Sequence, residues 1–189
     1  MMKKIVAAAA VAMMSASVAM ASPAVELGQG KINAGYNYTN YNVKVGGADA
    51  NHSGNDFYIQ GGLSDKFALG FETENVSTWG NDIKTTDLTV QYKLDKNFSL
   101  VAGNRHHSVG SYSKDSMLWG LKARTELGKN VDGYAAFQTS SNENEFQVGA
   151  LVKLSPNLNL DVNYKDHEGK GDMDHLSWKG LGVGLNTSF

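Results

Sequence analysis

The chain of 189 residues has no cysteine and only two prolines, and after its first two dozen residues it has no unbroken apolar run of membrane-helix length. Each absence removes a class of protein. Without cysteine there is no disulfide framework, no thiolate-ligated metal and no cysteine nucleophile. Without an apolar run of about 18 residues, no helix beyond the amino-terminal segment crosses a bilayer. A formal net charge of −2 with no basic cluster argues against a nucleic-acid partner. No glycine-rich phosphate loop or dinucleotide fingerprint occurs, so no cofactor is expected. What the chain does have is 21 glycines, 8 tyrosines and a pervasive alternation of apolar and polar residues.

Met1 to Ala21 opens with Lys3 and Lys4, continues as an Ala/Val/Met run from Ile5 to Val18 and closes on Ala19-Met20-Ala21. This order of basic, apolar and small residues predicts a cleaved secretory signal peptide. An amino-terminal membrane helix is the alternative, disfavoured because the run is short and Ser22-Pro23 follows at once. Residues 22–189 are then a single exported domain.

Within that domain, successive segments repeat with a period of two, the mark of strands with one apolar face. Tyr36 and Tyr38 alternate with Asn37 and Thr39, Leu88, Val90 and Tyr92 with Thr89 and Gln91, and Leu158, Leu160 and Val162 with Asn159 and Asp161. Ten such segments are expected, with eight the alternative count. Four connections share one form, three turn-forming residues between two apolar ones: Leu63 to Phe67, Leu94 to Phe98, Leu127 to Val131 and Leu154 to Leu158. The others, near Asp49, Trp79, Val109, Asn142 and Lys170, read as mostly longer loops rich in Gly, Ser, Asn, Asp and His. Short turns on one rim and longer loops on the other predict an all-β fold, an antiparallel meander barrel crossing a membrane.

The faces carry opposite chemistry to that of a soluble β-sandwich or lipocalin-like barrel. The charges Lys31, Glu72, Glu74, Asp87, Lys93, Arg105, Lys122, Arg124, Glu126, Asp132, Lys153, Asp161 and Lys165 share the face opposite the apolar one. So many charges cannot form an apolar core, so this face is expected to line a wet or salt-bridged lumen. Neighbouring charges are expected to pair: Lys122 and Arg124 with Asp132, and Glu72 and Glu74 with Lys93. On the apolar face, Tyr38, Phe57, Trp119, Phe137, Phe146 and Tyr164 gather toward one rim and Tyr92 and Phe98 toward the other, as an aromatic girdle does. Inward glycines such as Gly35, Gly103, Gly149 and Gly182 either clear a slim water path or relieve crowding.

The final segment alternates strictly through Leu181, Val183 and Leu185 to the aromatic Phe189. It resembles the carboxyl-terminal targeting signal of small bacterial outer-membrane β-barrels of the porin and opacity-protein kind. That resemblance implies an outer-membrane location, lipid as solvent, and recognition by periplasmic chaperones and the barrel-assembly machinery. It does not indicate an oligomeric state.

For function, the pattern favours a non-enzymatic barrel, either a narrow porin-like channel or a membrane-structural element. An adhesin-like role for the loops is the alternative. Barrel enzymes are a further one. His106 and Ser108 reproduce the His-x-Ser spacing of lipid A deacylases, and Asp82, Asp115, Asp172 and Asp174 put carboxylates near the loop rim, as an omptin-like protease requires. No metal site is expected, and His52, His106, His107, His167 and His175 read as solvated loop residues.

Overall fold

The computed structural model describes Pro23 and residues 28–78 and 80–189; the expected signal peptide lies outside the described residues. Ten strands follow one another: β1 (Ile32–Val45), β2 (Ala48–Gly62), β3 (Phe67–Val76), β4 (Ile83–Lys93), β5 (Phe98–Val109), β6 (Tyr112–Gly128), β7 (Val131–Thr139), β8 (Glu143–Ser155), β9 (Leu158–Gly169) and β10 (Leu176–Ser188). Each pairs antiparallel with its sequence neighbours, and β1 pairs with β10 to close the barrel. The only helical element among the described residues is a three-residue 3-10 turn, Gly171–Met173. The closing seam is extended by Phe189, whose N–H donates to the Ile32 carbonyl at 2.8 Å while Ile32 N–H donates to the Phe189 carbonyl at 3.1 Å. Closure leaves no strand edge unpaired, which is what a hydrocarbon environment demands of a sheet.

The turns at the rim shared with both termini fall into two kinds. In the first two, one side chain satisfies the turn's backbone. Ser64 Oγ accepts from the Lys66 and Phe67 N–H groups at 3.2 and 3.1 Å, and Asp95 Oδ1 accepts from Asn97 and Phe98 at 2.7 and 2.9 Å. Those two N–H groups hold the Asp95 carboxyl below its ordinary pKa, Asn97 contributing most. In the other two, a two-residue turn, 129–130 and 156–157, follows a register shift between Glu126 and Gly128 and between Lys153 and Ser155.

The opposite rim departs from expectation. The stretch around Asp49 is strand, not loop, because β1 and β2 meet in a two-residue turn at Gly46-Gly47, with φ of 56° and 94°. Two consecutive positive φ values make the type I′ turn, whose twist matches the strands it joins. The stretch near Val109 behaves likewise, with Gly110 at φ 58° opening the turn into β6. The rim therefore mixes two-residue turns with longer connections, and its strands run on past the apolar belt. Lys44, Asp49, Lys84, Asp115 and Glu168 are exposed on these extensions.

The outer wall between the rims is apolar. Phe137 faces Phe146 across the β7–β8 pair, Phe67 faces Tyr92 across β3–β4 with ring centroids 5.0 Å apart, and Tyr38, Phe57, Trp119 and Phe98 are all exposed. Tyr164 is half-buried on the same wall and donates to Asp166 Oδ2 at 3.3 Å.

Candidate functional site

Buried charge gathers in the lumen, which is layered along the barrel axis. At the loop rim Tyr41, Val43, Val76, Ile83, Met173, Leu176 and Trp178 pack into an apolar cluster. Met173 reaches it from the 3-10 turn in the β9–β10 connection. That connection is tied across the mouth by Lys114 Nζ to Asp172 Oδ2 at 3.0 Å and by Lys170 Nζ to Thr139 Oγ1 at 2.8 Å. Inward-facing apolar residues here were not expected, yet Tyr41 and Val43 simply continue the inward parity of Asn37 and Thr39 on a longer β1.

Beneath the cluster lies a buried ionic layer centred on Arg105. Its guanidinium grips Asp87 through two parallel bonds of 2.8 and 2.5 Å and reaches across the lumen to Glu143 at 2.9 Å and Glu145 at 2.6 Å. Asp87 stands opposite Arg105 in register, whereas the two glutamates come from β8, three strands farther round the barrel. His167 Nδ1 lies 2.7 Å from Glu143 Oε1, and its ring stacks on Trp178 at a centroid distance of 4.6 Å. His107 lies 3.4 Å from the other Glu143 oxygen. Glu74 accepts from the Tyr41 hydroxyl and from Trp178 Nε1, which joins the ionic layer to the apolar cluster above it. Lys165 bonds Asp56, which also accepts from Asn37 Nδ2 at 3.2 Å. Multiple partners for each ion are what make buried charge tolerable.

Glu143, Glu145 and His167 present ligand atoms within 4.8 Å of one another, the spacing of a metal site. Arg105 already bridges the two glutamates, so a cation in the form of a guanidinium holds that position.

Farther down, tyrosines fill the lumen. Tyr134 donates to Asp161 at 2.8 Å and Asn186 donates to the Tyr58 hydroxyl at 2.6 Å. Their rings occupy the space above glycines on the neighbouring strand. Gly35 stands opposite Tyr58 and Gly149 opposite Tyr134, and a Cβ on either glycine would overlap the ring. These glycines make room for aromatic rings and do not clear a water path.

At the turn rim the lumen opens into a vestibule of about 520 Å³ lined by Lys66, Gln91, Lys93, Arg124, Asp132 and Lys153 among others. Arg124 bonds Asp132 at 2.6 Å, with Lys153 at 3.6 Å from the same carboxylate.

The predicted lumen charges thus separate by level. Glu72, Glu74, Asp87, Arg105, Lys122, Asp132, Asp161 and Lys165 are buried, Lys93 and Arg124 are half-buried at the vestibule, and Lys31, Glu126 and Lys153 are exposed at the turn rim. Contrary to the expected pairing, register does not set Glu72 and Glu74 beside Lys93. Register sets Glu72 opposite Asp87 and Glu74 opposite Thr85, with Lys93 at the far end of β4. Asp56, Glu143, His107 and His167 complete the layer and were missed. Both histidines had the signal of parity: His107 is two residues from inward Arg105 and His167 two from inward Lys165.

No protein-family model and no curated protein matches the chain. Solved structures do. The outer-membrane protease OmpT of Escherichia coli is 11% identical with a TM-score of 0.50, over 84% of this chain and 97% of that one. Neisserial surface protein A is 12% identical at 0.47 over 84% and 97%, and Ail, the attachment invasion locus protein of Yersinia pestis, 13% identical at 0.43 over 85% and 99%. The likeness is one of fold: this chain is a closed ten-stranded barrel of the small outer-membrane type.

Proposed function

We propose that the protein is an integral outer-membrane barrel that serves the membrane as a closed structural element and not as a conduit. The observation carrying this is the filled loop half of the lumen, where the Trp178 cluster covers the mouth and Arg105, His107, Glu143, Lys165 and His167 beneath it are each at most 1% exposed. Small barrels have an interior that side chains alone can fill, and ten strands lie near that limit. The apolar outer wall takes lipid as its partner. The seam through Phe189 is the natural handle for chaperones and the assembly machinery, because it must be delivered before β1 and β10 can pair. The two-residue turns at Gly46-Gly47 and Gly110-Ser111 offer little area to an adhesive partner.

Purified protein in a planar bilayer is expected to give no discrete conductance steps, and cells lacking it are expected to admit a large apolar dye faster than wild type. Stable, voltage-independent steps from the wild-type barrel would overturn the closed reading.

A further inference from the structure

On the outer wall at the loop rim, three side chains stand in the order of a nucleophilic triad. His106 Nδ1 lies 3.1 Å from Asp115 Oδ1, and His106 Nε2 lies 3.1 Å from Ser113 Oγ. The Gly110 turn creates this arrangement by setting His106 directly opposite Asp115 and Ser108 opposite Ser113. All three point away from the lumen, since Arg105, His107 and Ser116 between them are buried inside. The side chains of His106 and Asp115 are 38% and 67% exposed. Two and four residues down β6 from Asp115, Met117 and Trp119 stand on the same outer face and are each 57% exposed. At about 3.4 Å per residue along a strand tilted roughly 40°, the triad lies about 5 Å above the lipid-facing belt, toward the headgroup layer. Exposed Lys84, the cross-strand partner of Ser108, places a cation in that layer.

We propose that Ser113, His106 and Asp115 form an esterase site for acyl esters of membrane lipids, working from the barrel wall and independently of the lumen. Ser113 Oγ attacks the ester carbonyl carbon as His106 Nε2 takes the hydroxyl proton. The C–O bond to the lipid alcohol then breaks, and His106 returns the proton to the departing alkoxide. Water attacks the acyl-serine carbon, again losing its proton to His106. The fatty acid leaves and Ser113 regains its proton. Asp115 is a positioning residue: it fixes the ring so that Nε2 faces the serine and stabilises the imidazolium. The nucleophile is Ser113 and not Ser108 of the His-x-Ser spacing, because Ser113 is the serine bonded to the imidazole.

The test is release of fatty acid by the full barrel in mixed micelles, with diacyl phospholipid, lipopolysaccharide and p-nitrophenyl palmitate as separate probes, and labelling by a fluorophosphonate. Release with phosphonylation mapped to Ser113 is expected, and the two lipid arms identify which headgroup carries the ester. Ser113→Ala and His106→Ala should lower the rate by about 10⁶-fold and Asp115→Asn by about 10⁴-fold. Asp115→Glu should recover much of the Asp115→Asn loss, which a merely structural role would not predict, and Ser108→Ala should match wild type. The substitutions lie on the exposed wall, and unchanged heat-modifiable migration on gels confirms the fold of each variant. No release from any probe with no phosphonylation overturns the proposal, as does activity that survives Ser113→Ala or falls with Ser108→Ala.

Discussion

The two halves of the lumen use the same ion pair under opposite conditions. In the loop half, Arg105 is 1% exposed and holds three carboxylates from β4 and β8. In the turn half, Arg124 is 24% exposed and holds Asp132 beside a vestibule of about 520 Å³. A guanidinium and a carboxylate in contact are therefore not one quantity of stability. Buried, the pair is weakly favourable while intact and very unfavourable when half removed, because the orphaned charges stay out of water. At the vestibule wall, the orphaned Asp132 keeps Lys153 at 3.6 Å and borders the open cup, so less is lost. The loop half thus gains a unique, closed arrangement, while the turn half keeps a wet cup.

The sharpest break of this contrast is a pair of substitutions. Arg105→Leu should lower the unfolding free energy by about 3–5 kcal/mol, or block assembly outright, by stranding Asp87, Glu143 and Glu145. Arg124→Leu should change it by about 1 kcal/mol or less. Urea unfolding of the refolded barrel followed by tryptophan fluorescence reads both, and equal losses would show that the two levels do not differ. A smaller effect is expected where glycine accommodates a ring. Gly35→Ala would press a methyl into Tyr58 and should cost about 1–3 kcal/mol in the same assay. Gly61→Ala, where a Cβ meets nothing within 4 Å, should be close to neutral. Equal effects would mean that the ring is free to move aside.

The smallest expected effect lies at the turn rim. The Asp95 carboxyl is held below its ordinary pKa by the Asn97 and Phe98 N–H groups. A group depressed in the folded state stabilises above its unfolded pKa and loses that contribution as pH falls through the folded value. Hydrogen exchange at Asn97 and Phe98 should therefore quicken, relative to the Ser64 turn, as pH drops below the ordinary aspartate range. Asp95→Asn should abolish that difference. A difference that persists in the variant would assign it to another group.

The strand order, the faces and the barrel class were legible in the sequence because an alternating face is written locally, residue by residue. Tyr36-Asn37-Tyr38-Thr39 needs no partner to be read. The site was legible only in part, because it depends on register. Gly46-Gly47 fixes that register for β1 and β2, pairing Val45 with Ala48 and so Gly35 with Tyr58. The polar run Ala48 to Asn55 hid this turn. Its residues have low strand propensity, yet continued pairing with β1 holds them extended. Once those segments are taken as loops, Glu143, His107 and His167 look solvent-bound, although each keeps the inward parity of its strand. Pairings across the lumen, such as Arg105 to Glu143, depend on closure and have no local signature at all.

Because the chain has no cysteine, the closed lumen is open to one clean measurement. Thr85 and Lys93 point inward from the same strand, Thr85 buried beside His107 and Lys93 on the vestibule wall. Single Thr85→Cys and Lys93→Cys variants in lipid vesicles, exposed to a membrane-impermeant maleimide, sample the two levels directly. The expected result is rapid modification at position 93 and none at position 85 until the barrel is denatured. Modification of both at comparable rates would mean that water runs the length of the lumen and that the loop half is not closed.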